Sequence, residues 1–281
     1  MERNTAKRTL EKLLSVCICL CMLGAMLPAQ VFAEEADTAQ TETVQDTAPK
    51  DTVYLSSADD LIQLAKNCRL DSWSQNRTVV LEADIDLSSV DFNGIPSFGG
   101  TWEGQNHAIT GLSLSQDGSV QGLFRYVQQG ALVRDMTVKG RIKPGGTRAS
   151  VGGIAGSNAG TIENCAFDGV VSGTSQIGGI AGVNTVKGSI NGCTVSGTVY
   201  GSHFVGGVVG QNDGVAANCT NAASVNTTVS QNEVKLNDLT LDDVLKTEKA
   251  NDVTDAGGIA GNNAGVLRAC INRGTIGYSH I

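Results

Sequence analysis

Four blocks of this chain are variants of one pattern, and no other feature restricts its fold as tightly. GGIAGSNAGTIENC (152–165), GGIAGVNTVKGSINGC (178–193), GGVVGQNDGVAANC (206–219) and GGIAGNNAGVLRAC (257–270) each run Gly-Gly-aliphatic, Gly-x-Asn, Gly-x-aliphatic, Cys, with Ala216 at the last aliphatic position of the third. The Asn recurs as Asn158, Asn184, Asn212 and Asn263, and the blocks close on Cys165, Cys193, Cys219 and Cys270. The register continues past the cysteine: Gly169, Gly197, Ala223 and Gly274 stand four residues on, and Val171, Val199, Val225 and Ile276 six on. Self-similarity at fixed offsets is the signature of a repeat architecture.

Successive cysteines lie 28, 26 and 51 residues apart. Short aliphatic runs broken by Gly and Asn hold too few helix formers for a helical solenoid. The pattern predicts an all-β chain: a right-handed parallel β-helix of about 26–28-residue coils, each with three short strands, stacked at about 4.8 Å. Glycine is expected at positive-φ corners. Each Asn is expected to tolerate the left-handed region and to bond its counterpart in the next coil. One cysteine per coil makes a column whose Cβ atoms stand about 4.8 Å apart, wider than the roughly 3.8 Å of a disulfide. The four cysteines are therefore expected as buried free thiols. Zinc would call for Cys-x-x-Cys pairs or nearby His, which the sequence lacks.

The blocks, with GLFRYVQQGALVRDMTV before them as a leading coil, resemble the GLUG repeat of bacterial surface proteins, some of them exported IgA-specific metallopeptidases. The resemblance implies an exported bacterial protein and is silent on chemistry. Upstream, SADDLIQLAK reads as a short capping helix with Ser57 at its N-cap and Asp60 at N3. TVVLEADIDL reads as a strand, and FGGTWEGQNHAITGLSLS as the first coils.

The N-terminus reads as a secretory signal over residues 1–33. Arg3, Lys7, Arg8 and Lys12 precede an apolar run and Val31-Phe32-Ala33, with cleavage expected after Ala33. Residues 34–52, rich in Thr, Ala, Gln and acids, read as a disordered linker. Residues 53–148 are expected to hold the N-terminal cap and first coils, and 149–281 the repeats. Without the signal the chain carries 16 bases and 26 acids, a net charge of −10, which disfavours nucleic acid as a partner. No further stretch is long and apolar enough to span a bilayer.

No catalytic, cofactor-binding or metal-binding residue is expected. His107, His203 and His280 belong to no motif, and neither HExxH nor Gly-x-Ser-x-Gly occurs. Asp84 and Asp86 are expected to face solvent while Ile85 and Leu87 enter the core. Arg148, Lys187 and Arg268 are scattered rather than clustered. An insertion at about 226–254, without any Gly, reads as an extruded loop and a place for a partner contact. The last repeat stops at Ile281 without a cap, so the chain is expected to be part of a longer protein and to self-associate through its C-terminal coil. The first functional reading is a non-catalytic surface or secreted array for adhesion, binding or spacing, with a host or cell-surface protein or glycan as partner. The second is the leading region of a larger exported enzyme, such as an IgA-peptidase-like metallopeptidase, with catalysis beyond Ile281. The third is a β-helix polysaccharide-active enzyme.

Overall fold

The computed structural model describes residues 51–146, 148–227 and 255–277. The signal segment, Ala33 and nearly all of the linker and insertion lie outside these residues, as does His280. The described residues form a β-solenoid in which every strand pairing is parallel. Alternation along each strand decides which way its side chains point. In Thr161–Glu163 the central Ile162 is fully buried and its neighbours are partly exposed.

A repeat coil carries four strands rather than the three expected. In one coil they are Ala149–Gly152, Ala155–Asn158, Thr161–Glu163 and Ala166–Ser172. Stacking generates four sheets of four, six, eight and eight strands, called here the first to fourth in that order. The extra strand comes from the Gly-Gly step, which lets the chain bend sharply between Gly152 and Ala155. A Cβ on Gly153 would stand 2.2 Å from Gly179 O and 2.4 Å from the Phe167 ring.

The role expected for glycine holds at Gly192 and Gly197, which are at positive φ, but not at the block steps. The repeated glycines of the Gly-Gly and Gly-x-Asn steps are not at positive φ. They permit close approach of coils: a Cβ on Gly182 would lie 2.4 Å from Ser150 C and 2.5 Å from Val151 N. Left-handed backbone lies elsewhere: at Ser150, Gln176, Phe204 and Asp255 in or just before strands of the first sheet, at Gly169 and Gly197 after the cysteines, and at the residue before each block cysteine or, one coil earlier, before Met136. Asp135, Asn164, Gly192, Asn218 and Ala269 occupy this last position with φ between 50° and 64°, mostly the residue types that tolerate that region. The Asn158 column has ordinary backbone angles, so only its bonding role applies.

TVVLEADIDL is two strands, Thr78–Leu81 in the third sheet and Ile85–Asp86 in the fourth, because the chain turns a corner at Glu82–Asp84. The helix Ala58–Asn67 starts at Ser57, whose side chain accepts from Asp60 N, while Asp60 accepts in return from Ser56 N at 3.1 Å. It buries Leu61 and Leu64 in the core beside Thr52–Leu55, the edge strand of the third sheet. The core is aromatic at this end, where Phe98, Trp102 and Phe124 pack with centroids 5.2–6.0 Å apart. Further along it thins, apart from Phe167, to Ile, Val, Ala, Cys and Asn.

The coil of residues 255–277 pairs directly on that of residues 203–226. Val205 stands on Ala256, Asn212 on Asn263 and Ala217 on Arg268. The 51-residue step from Cys219 to Cys270 therefore joins two coils that stack directly on each other. The strands at 256–272 are the terminal ones of all four sheets. Leu267, at a core-facing register opposite buried Ala216, is 39% exposed there, and Ile271, at an outward register opposite Thr220, is 48% exposed.

Candidate functional site

The repeated polar residues turn inward and bond from coil to coil. Asn158 Nδ2 donates to Asn184 Oδ1 at 2.8 Å, Asn184 to Asn212 at 2.8 Å, and Asn212 to Asn263 at 2.7 Å. Each of the first three is fully buried. Each also donates to backbone carbonyls at the corner it fills, as Asn184 does to Gly188 O and Val215 O. Buried amides are tolerated because they are satisfied in this way. Upstream the same register holds Val127 and Phe98, so the ladder takes over a register that is apolar in the earlier coils. A second, shorter ladder escaped the sequence reading: Asn221 Nδ2 donates to Asn272 Oδ1 at 2.8 Å. The signal was available as CTN at 219–221 and CIN at 270–272.

The block cysteines stack beneath Met136, and all five described cysteines are free. Each block thiol donates to a carbonyl of the coil before it and to the carbonyl two residues earlier: Cys165 to Val133 O and Glu163 O, Cys219 to Ile190 O and Ala217 O. Proximity to Cys165 and then burial push the Cys193 thiol up, and proximity to Cys193 and then burial do the same for Cys219. Burial pushes Cys68 up to about 11. Thiolate chemistry is thereby disfavoured. Cys270 departs from the expectation of full burial. It is only partly covered because no further described coil lies over it.

The other candidate residues do not converge. Asp84 and Asp86 are exposed, with Ile85 and Leu87 buried between and after them. Asp84 accepts from Ala108 N and lies 3.1 Å from His107 Nδ1, contacts that lower its pKa in that order. Bonds from Ser88 lower that of Asp86. His203 lies 4.0 Å from Asp255, far along the solenoid from His107. Among the described residues no group of three His, Cys, Asp or Glu is placed to hold a metal ion. No described helix is long and apolar enough to cross a membrane. A cleft of about 230 Å³ lies between the helix and the loop Asp91–Pro96.

No family model matches the chain. Halomucin of Haloquadratum walsbyi (strain DSM 16790 / HBSQ001) is 29% identical over 128 residues, which is 40% of this chain and 1% of halomucin. A solved structure from Bacteroides ovatus, named as a candidate immunoglobulin A1 protease, matches with a TM-score of 0.48 at 18% identity over 81% of this chain and 79% of that one. The chain spans a very small part of halomucin.

What repeats from coil to coil is the interior. Outward positions in the same register differ freely: Ser157, Val183, Gln211 and Asn262 form one such row. Glu163, Asn191, Ala217 and Arg268 form another. Arg134, above Glu163, makes a two-bond ion pair with Glu103 at 2.7 and 2.8 Å.

Proposed function

We propose that this chain is a non-catalytic stretch of an exported surface or secreted protein of the GLUG-repeat kind, serving as a stiff spacing and display scaffold. The observation that carries the reading is the contrast just drawn: the repeat holds Gly, Asn and Cys constant inside the coil and leaves the outward rows chemically unrelated. A catalytic β-helix would be expected to gather acids and bases on one outward face. A scaffold needs only the interior to be uniform, since stability in a solenoid comes from neighbour-on-neighbour stacking. The similarity to a stretch of halomucin supports a place within a much longer chain.

The test is surface labelling combined with coil deletion. A non-permeant amine reagent on intact source cells should modify the exposed Lys139 and Lys187. Removing residues 155–180 joins positions that already stack, Ala155 on Ala181, and should give a folded, exported chain one coil shorter. Turnover of a peptide or glycan by the purified chain, abolished by a single substitution, would refute the proposal. So would lysines protected until the cells are lysed.

A further inference from the structure

One register column of the second sheet breaks its own rule, and the break opens the cleft beside the helix. The column runs Pro96, Arg125, Gly156, Gly182, Gly210 and Gly261. From Gly156 onward no side chain fits, because the preceding coil's chain packs against the position. A Cβ would meet Val120 Cγ1 at 2.5 Å at Gly156, Gln176 C at 2.3 Å at Gly210, and Phe204 C at 2.2 Å at Gly261. At Arg125 the equivalent stretch of the preceding coil is Asp91 and Phe92. These residues line a cleft with Arg125, so an arginine occupies the position where later coils need glycine.

The cleft's lining includes Arg125 and Pro96 from the column, Asp91 and Asn93 from the loop, and Lys66 and Arg69 from the end of the helix and the turn after it. Three cations thus face one carboxylate in a chain whose net charge is −8. Among the described residues none of the three is in an ion pair. Arg125 Nη2 makes one bond, to Asn93 O at 3.3 Å, and its buried Nε has no acceptor. A half-buried guanidinium with unused donors is suited to a planar oxyanion.

We propose that this cleft binds the acidic group of a sugar, such as a uronic or sialic acid, with Arg125 holding the anion and Lys66 and Arg69 at the mouth. Asp91 separates this ligand from a multiply charged one: its carboxylate repels a polyanion and accepts hydrogen bonds from hydroxyls. Ile62, Ala65 and Pro96 supply an apolar wall for the C–H face of a ring. The space suits a single sugar unit, being smaller than the roughly 300 Å³ or more of a drug-sized site. This goes beyond the scaffold role and does not depend on it.

The test titrates the full exported chain with glucuronate, N-acetylneuraminate, galactose, inorganic sulfate and a phosphoserine peptide, read by saturation-transfer NMR and calorimetry. At least one acidic sugar should bind, galactose should not, and added salt should weaken the binding. Arg125→Gln should weaken it about tenfold or more, and the surface pair Lys66→Gln/Arg69→Gln several-fold. That second variant alters only exposed side chains, so it remains informative if the first fails to fold. No acidic sugar binding, or binding unchanged in a folded variant, overturns the proposal. So does sulfate or the phosphopeptide binding as tightly as the sugar. None of these results touches the scaffold reading, which rests on surface labelling and coil deletion.

Discussion

Substituting Asn184→Ala isolates what the inner ladder contributes. Asn184 is fully buried and takes part in four hydrogen bonds: it accepts from Asn158 and donates to Asn212 Oδ1, Gly188 O and Val215 O. Alanine leaves Asn212 Oδ1 buried with no donor among the described residues, a loss of about 1–3 kcal/mol. Asn158 Nδ2 is less affected, since Gly160 O and Ser189 O still accept from it. The weaker bonds to the two carbonyls and the small void bring the expected loss to about 3 kcal/mol. At about 2–4 °C per kcal/mol this lowers Tm by about 6–12 °C. Asn263→Ala is the internal control. Asn263 is exposed on the terminal coil, where water replaces the lost acceptor for Asn212, so the loss should stay under about 1 kcal/mol. Urea melts followed by circular dichroism give the stabilities. Hydrogen exchange at Gly160 and Gly188 shows whether the loss is centred on the ladder, because coils in a solenoid need not unfold together. Equal small losses in both variants would mean that the backbone ladders alone carry the coil and the amides are passengers.

Gly182→Ala should cost about 2 kcal/mol or more, since its Cβ would strike backbone of the neighbouring coil. Gly130→Ala, with open space around it but a φ of 83°, should cost about 1 kcal/mol; the reverse order in thermal melts would refute the close-approach role. In the folded protein Cys270 should react first with a thiol reagent, while Cys165, Cys193 and Cys219 react only in denaturant; equal rates would contradict their burial. Burial raises the folded pKa of Cys68 above its unfolded value, so this contribution is flat below pH about 8.5 and falls as pH rises through 9 toward 11. A Cys68→Ala variant should lose that alkaline dependence. N-terminal sequencing of exported material should begin at Glu34, and a retained Met1 would disprove cleavage after Ala33. We propose that residues 34–281 made alone self-associate through the exposed coil carrying Leu267 and Ile271; a stable monomer by light scattering at high concentration would refute this.

The sequence by itself determined the stacking of coils, because a repeat can bury its aliphatic positions only against copies of itself. It also determined the Ser57 helix start and the inward turn of Ile85 and Leu87, which follow from local capping chemistry and the period of two. The number of strands per coil was not legible. The bend at Gly153 depends on Gly179 and Phe167, which are distant in the chain. The same reason hid what the glycines are for: a positive φ and a missing Cβ both read as Gly, and only the packed neighbour tells them apart. Arg125 looked like an ordinary surface cation in the sequence. Only the pairing that sets it beside Gly156, with Asp91 and Phe92 lining a cleft next to it, shows that it occupies a position denied to side chains in every later coil.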